Sequence, residues 1–233
     1  MEKYYKYYLV ALIVILIDQA SKLLVYFYMD MGNPGEINVL GEWFRLHYLL
    51  NPGMAFGIRW ESEYGKLALT LFRLVAMVGI GYYIAQLVKK GAKKGLLICM
   101  ALILGGAVGN VIDSTFYGVL LDNALPGSPT PWFHGQVIDM LFFPLFEGFF
   151  PDWMPFIGGQ YFLFFSPVFN IADSSIFIGV LIILIMQKKY FPKHENESLL
   201  QDSGEESVEG EKVLSNEAES NSLETFKKNE DKV

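Results

Sequence analysis

The chain has 233 residues, 52% of them hydrophobic, and a mean hydropathy of +0.31, which is too apolar for an ordinary soluble domain of this size. Several apolar runs approach the roughly 20 residues that cross a bilayer. The net charge of −7 belongs to the tail: residues 195–233 carry 12 Asp/Glu and 4 Lys, so the remainder sits at +1.

Lys3 and Lys6 precede an apolar run, Tyr7–Phe27, that has the outline of a secretory signal peptide. Asp18, Gln19 and Lys22 interrupt it where small residues would mark a cleavage site, so a first membrane span is expected instead. Residues 29–64 read as a polar connection. Within it, Phe44, Leu46, Tyr48 and Leu50 alternate with Arg45 and His47, which favours a half-buried strand over Trp43–Leu50. Gly32, Pro34, Gly35 and Gly41 suit turns, as does the segment Asn51–Gly57. Leu67–Val88 is the second expected span, with Arg73 near enough its outer end to snorkel toward water. Gly95–Ile112 is the third. Its small-residue stretch from Gly105 to Gly109 allows close helix approach. Cys99 lies inside it, and as the chain's one cysteine it makes no intramolecular disulfide.

A long connection, 114–167, contains no Lys or Arg. From Leu141 onward it is crowded with aromatics and broken by Pro144, Gly148, Pro151, Pro155, Gly158 and Gly159. Lipid-exposed backbone must satisfy its own hydrogen bonds, so this stretch is expected at headgroup depth rather than across the membrane. Val168–Met186 is the fourth expected span. The Ser-, Glu- and Asn-rich residues 191–233 have too little apolar surface to fold, and read as a disordered acidic cytoplasmic tail. The expected architecture is thus a membrane all-α core of four helices over residues 1–190, with a small extracytoplasmic β-element and an interfacial aromatic segment. The lysines at 3 and 6, 89–94, and 188–193 all flank the same side. The positive-inside rule then puts both termini in the cytoplasm and both long connections outside.

That topology gathers polar residues at one depth. Asp18 and Lys22, four apart on one helix face, lie in the outer half of the first span. Asn110 and Asp113 end the third. Asn170, Asp173 and Ser174 open the fourth, and Asp139 belongs to the outer connection. Carboxylates at such places cost free energy and mark function, although Asp173 would also be favourable as a helix N-terminal residue. Asp18–Lys22 suits a structural ion pair as well as it suits a catalytic role. Two carboxylates held close do not both ionise easily, so one keeps a proton. The charged member can then take a proton from water while the other donates to a carbonyl oxygen. A small membrane transporter or scaffold using buried carboxylates as a proton relay is the alternative. Relays usually sit near the bilayer midplane, and these groups gather at one surface. Another intramembrane aspartyl protease would need a Gly-x-Gly-Asp sequence, which the chain lacks. Neither Ser174 nor Ser175 has a His or Lys placed to activate it as a nucleophile.

Five short motifs in order carry a resemblance. Asp18-Gln19-Ala20-Ser21-Lys22, Asn51-Pro52-Gly53-Met54-Ala55-Phe56-Gly57, the run from Gly105 to Asp113, Val137-Ile138-Asp139 and Phe169-Asn170-Ile171-Ala172-Asp173 resemble the motifs of lipoprotein signal peptidase (signal peptidase II). This is a bacterial aspartyl membrane peptidase family. The resemblance covers roughly residues 7–190 and omits the tail. It implies hydrolysis of the bond before a diacylglyceryl-modified lipobox cysteine in prolipoproteins, in the bacterial cytoplasmic (inner) membrane, with the site near the outer surface. It maps a catalytic dyad onto Asp139 and Asp173, and substrate-binding positions onto Asn51, Gly53, Asn110, Asn170 and Ala172. Asp18, Lys22 and Asp113 become supporting residues, and the outer β-element becomes a substrate cradle. Membrane lipids and globomycin-type inhibitors are implied partners; no cofactor, metal or nucleic acid is. Two departures stand out. Ser114 and Met140 occupy positions where the family usually has Arg and Phe, and Arg45, Arg59 and Arg73 are the candidates to supply the missing positive charge.

Overall fold

The structure is a computed structural model that describes residues 2–53, 64–164 and 167–191. Met54–Gly57 of the second motif, Arg59 and residues 192–233 of the tail lie outside the described residues. Within the unit Met1–Ile185, four helices carry the apolar runs: α1 (Glu2–Tyr28), α2 (Gly65–Lys89), α3 (Lys94–Ile112) and, near the end of the unit, a shorter one. After Ile112 the chain continues through a π-helical turn, Asp113–Tyr117, into the short α4 (Gly118–Leu120). Three helical stretches are long and apolar enough to cross a membrane: Tyr4–Tyr28, Gly65–Lys89 and Lys94–Leu120.

The fourth expected span begins later than its apolar run. Val168–Phe169 is a strand, and the helix α5 runs Ile171–Ile185, apolar but 15 residues long. The reason is local. Asn170 stops the strand and caps the helix: its Oδ1 accepts the Asp173 N–H at 2.9 Å, and Asp173 Oδ2 accepts the Asn170 N–H at 3.4 Å. This reciprocal pair is a capping box, which fixes the first helical turn at Ile171. The other unit begins at Met186, and its described part holds one short helix, α6 (Gln187–Tyr190).

The helices are inside-out by the standard of a soluble protein. On α1, Asp18 and Lys22 are fully buried beside Ala11 and Val25, while Leu16, Ile17 and Leu24 are exposed. On α2, Lys66 and Thr70 are buried while Phe72, Val75 and Val78 face out. Charge inward and apolar side chains outward is stable only where the surroundings are apolar.

Helix α3 sits between α1 and α5, and three glycines let it. A Cβ on Gly105 would meet the Ala11 carbonyl oxygen at 2.8 Å, and one on Gly106 the Ala172 carbonyl oxygen at 2.3 Å. One on Gly109 would stand 2.5 Å from Asp18 Oδ2. The small-residue stretch therefore serves two helix interfaces at once, with van der Waals contact as the driving force. Ser175 and Gly179 continue the small face of α5.

The strands form two sheets. β1 (Ile37–Leu40), β2 (Phe44–Asn51), β3 (Val137–Phe142) and β6 (Val168–Phe169) make an antiparallel sheet in the order β1-β2-β3-β6. The strand expected over Trp43–Leu50 is β2. β3 replaces part of the expected outer connection. It is buried at five of its six positions, so no alternation marked it in the sequence. Its register puts Leu49 opposite Asp139 on one side and Phe169 opposite Leu141 on the other. Asp139 is thereby carried between the end of β2 and the start of α5. Val25, Tyr48, Tyr117, Ile138 and Met140 form the core beneath it, so the Met at 140 is a packing residue. The aromatic segment is a hairpin, β4 (Phe146–Phe149) with β5 (Tyr161–Phe164), pairing Phe146 with Phe164 and Phe149 with Tyr161.

Candidate active site

Four elements deliver polar groups to one place. Asn51, at the end of β2, donates from Nδ2 to Asp139 Oδ2 at 2.8 Å. Asn170 donates from Nδ2 to Asp139 Oδ1 at 2.7 Å. Asn110 in α3 donates from Nδ2 to Asp173 Oδ1 at 2.8 Å. The two aspartates, from β3 and α5, are therefore bridged by one asparagine: Asn170 bonds Asp139 with its side-chain amide and Asp173 with its backbone. Asp139 is 1% exposed and Asn170 fully buried. Burial first, and then the nearby charge of Asp173, push the Asp139 carboxyl up to about 7 against the hydrogen bonds from Asn51 and Asn170. Asp139 thus holds a proton at a pH where an ordinary carboxyl has lost it.

Beneath this pair lies a second cluster. Lys22 Nζ stands 2.7 Å from Asp18 Oδ2, 2.6 Å from Asp113 Oδ2 and 3.0 Å from Asn110 Oδ1. Asp18 Oδ1 also accepts the Ala172 N–H at 2.9 Å, so one carboxylate ties α1 to both its own lysine and the start of α5. Gln19 was overlooked in the sequence although it lies inside the first motif. Its Nε2 donates to Asp113 Oδ1 at 2.8 Å and its Oε1 accepts from the Tyr117 hydroxyl at 2.9 Å. Ten residues singled out in the sequence thus come together, with one difference of kind. Ala172 is fully buried with its Cβ against the Gly109 position, so its geometry is that of helix packing rather than of a surface open to substrate.

Two cations of α2 stand beside Ser114. Arg73 does not snorkel outward: its Nη2 donates to the Gly53 carbonyl oxygen at 3.0 Å and its Nη1 lies 3.4 Å from Ser114 Oγ. Lys66 Nζ is 3.3 Å from the same hydroxyl. Lys66 had no distinguishing signal, since a lysine at the mouth of an apolar run reads as an interfacial anchor. Arg45 is engaged elsewhere, with Glu36 and Glu147. Gly53 has φ of +89°, a left-handed conformation suited to glycine, and any Cβ there would crowd Arg73 Nη1 at 2.9 Å.

The comparisons with known proteins agree with this geometry. A family model described as signal peptidase (SPase) II matches residues 10–188. The lipoprotein signal peptidase of Amoebophilus asiaticus is 50% identical over 185 residues, covering 79% of this chain and 78% of that protein. The lipoprotein signal peptidase of Porphyromonas gingivalis is 46% identical over 187 residues, covering 75% and 80%. A bacterial membrane enzyme determined by the in meso method at 2.3 Å resolution superimposes with a TM-score of 0.52 at 25% identity, covering 82% of this chain and 92% of that one. With the family model spanning most of the chain and a relative 50% identical over 185 residues, the chain belongs to the signal peptidase II family.

Proposed function

We propose that this protein is an aspartic endopeptidase that removes signal peptides from diacylglyceryl-modified prolipoproteins, cutting before the lipidated cysteine. The observation that carries the mechanism is the bridging of Asp139 and Asp173 by Asn170, with Asp139 buried. In this reading the ionised member takes a proton from water as its oxygen attacks the scissile carbonyl carbon. The protonated member gives its proton to the carbonyl oxygen. The tetrahedral intermediate then collapses: one of its hydroxyls returns a proton to the pair as the C=O bond re-forms and the C–N bond breaks, the pair passes a proton to the leaving amine, and it again holds one. General acid–base steps of this kind supply typically about 10²–10⁴-fold each. The aspartates titrate as a pair, and their roles belong to the pair. Asn51, Gly53, Asn110 and Asn170 shape the site, and Asp18, Lys22 and Asp113 hold the helices that carry it.

The same proposal makes α5 a fourth span and the β1-β2-β3-β6 sheet a cradle for extended substrate. It places both termini and the acidic tail in the cytoplasm and the site at the outer surface of the bacterial inner membrane; the lysine distribution supports this. Globomycin-type compounds would compete for the site. The test uses the purified full-length protein in detergent with a diacylglyceryl-modified prolipoprotein and its unmodified precursor. Mass spectrometry of the products is expected to show a new N-terminus at the lipidated cysteine, and none from the unmodified precursor. Equal cutting of both precursors, or no cutting by folded protein, would overturn the substrate assignment.

The β4–β5 hairpin belongs at the lipid–water boundary in this reading. Trp153 is 78% exposed and Phe156 98%, and residues 114–167 carry no Lys or Arg. It is moored to the sheet through Glu147, which accepts from Arg45 and from the Tyr161 hydroxyl. The Trp153 share of the fluorescence, isolated by comparison with Trp153→Phe, is expected to be quenched by lipids brominated high on their acyl chains. Emission typical of water, indifferent to those lipids, would remove the hairpin from the interface.

A further inference from the structure

The first two turns of α2 present Lys66, Thr70 and Arg73 on one face, at spacings of four and three. Thr70 fixes that face: its hydroxyl lies 2.9 Å from both the Lys66 and the Phe133 carbonyl oxygens. Lys66 is 4% exposed, and Ser114, which both cations approach, is fully buried. Among the described residues neither Lys66 nor Arg73 forms an ion pair with a carboxylate. A buried and a half-buried cation side by side are costly unless something opposite balances them.

The balance is in the site. The Lys22 cluster contributes one positive and two negative charges, a net −1 with its carboxylates ionised. The Asp139–Asp173 pair holding one proton contributes another −1. Lys66 and Arg73 contribute +2. Among the described residues this set closes to zero with Lys66 charged and the aspartate pair carrying a single proton. The other titratable groups described nearby have partners of their own. His134, on the loop against α2, is fully buried with its Nδ1 on the Trp132 carbonyl oxygen, and on β2 His47 and Arg45 are bound to Glu36.

The link is mechanical as well as electrostatic. Arg73 holds the Gly53 carbonyl oxygen, the Gly53 N–H donates to Asn51 Oδ1 at 2.8 Å, and Asn51 Nδ2 donates to Asp139 Oδ2. Resting on the proteolytic reading of Asp139 and Asp173, we propose that Arg73 and Lys66 are positioning residues that set the aspartate pair at one proton by their charge, Arg73 also holding the Asn51–Gly53 turn against Asp139. Ser114 is the small neutral residue that leaves room for both cations.

Removing either positive charge makes the doubly protonated, neutral pair easier to form, so the pH limits of cleavage move upward. The experiment is the pH dependence of kcat/KM for cleavage of the diacylglyceryl-modified precursor by Arg73→Gln, Lys66→Gln and Arg73→Lys, all full-length. The expected result is a bell displaced to higher pH by about one unit in the two Gln variants. Arg73→Lys should keep the wild-type pH limits while losing about tenfold in kcat/KM, because a lysine cannot reproduce the forked grip on Gly53 and Ser114. A purely structural role would lower activity in all three without moving the bell. Unchanged pH limits in either Gln variant that folds and cleaves would overturn the inference. A displaced bell in the charge-conserving Arg73→Lys would overturn it as well, and if neither Gln variant folds the two cations are structural residues and the inference falls. Failure of the wild type to cleave would instead overturn the proteolytic reading on which this rests.

Discussion

Asp139→Asn and Asp173→Asn are each expected to abolish detectable cleavage, a loss of at least about 10²–10⁴-fold, while the protein still folds. The two substitutions differ in what they do to stability, and that difference tests the geometry. Asp139 accepts from two amides, those of Asn51 and Asn170, and its carboxyl is pushed up to about 7 by burial and by Asp173. A group whose folded pKa lies above its unfolded one stabilises most at low pH. That contribution is complete below about 4 and is lost as the pH rises through about 7. An asparagine resembles the protonated acid and has no such dependence. The Tm of Asp139→Asn relative to wild type is therefore expected to climb between pH 5 and pH 8. Asp173 has a structural duty, since its two oxygens serve the α5 capping box and Asn110. Asn at 173 keeps one acceptor oxygen of two, so a loss of about 1 kcal/mol is expected there at either pH. In wild type, cleavage should fall above about pH 7 as the pair loses its proton. Residual turnover near wild type in either variant, or a Tm difference for Asp139→Asn that ignores pH, would defeat the dyad.

Helix positions were legible because apolar runs and flanking lysines report them directly; α2 and α3 begin within two residues of their expected starts. β2 was legible for the same kind of reason, a half-buried strand that alternates. β3 was not. A strand buried at almost every position has no period to read, and the aspartate it carries came into view through its charge in a stretch without Lys or Arg and through the motif resemblance. The start of α5 was misplaced by three residues because hydropathy is blind to capping: Val168 and Phe169 are as apolar as the helix, and only the reciprocal Asn170–Asp173 bonds say where it begins. The site divides along the same line. Carboxylates and amides inside apolar runs stand out, and those named came together. Lys66 did not stand out, and Arg73 only as one of three candidate arginines, because a cation at the end of a span has a solvated alternative that looks identical in sequence. Their inward aim depends on the Asn51–Gly53 turn and on the smallness of Ser114, which are facts of three dimensions.

Lys22→Met is expected to be the most destabilising single change in the helical core. Lys22 is fully buried and spends its ammonium on Asp18, Asp113 and Asn110. Removing it leaves two buried carboxylates facing each other without a counter-charge, a situation that costs about 3–5 kcal/mol. Net stabilities of folded domains are about 5–15 kcal/mol, so this variant should give little folded protein and a sharply lowered Tm in detergent. The informative partner is the neutral triple replacement Lys22→Met, Asp18→Asn, Asp113→Asn. Asparagine at 18 can still accept the Ala172 N–H, and at 113 the Gln19 amide, so the acceptors that tie α1 to α5 and to the end of α3 survive. With no charge left to desolvate, most of the lost Tm should return. A Lys22→Met protein as stable as wild type would show that the cluster contributes nothing to holding the helices. The triple variant also takes one negative charge out of the set that surrounds the aspartate pair. Its residual cleavage should therefore peak at lower pH than wild type, opposite to the displacement expected for Arg73→Gln. Lys22 and Arg73 lie on different helices, so opposite displacements would trace to charge and not to a shared distortion of the site.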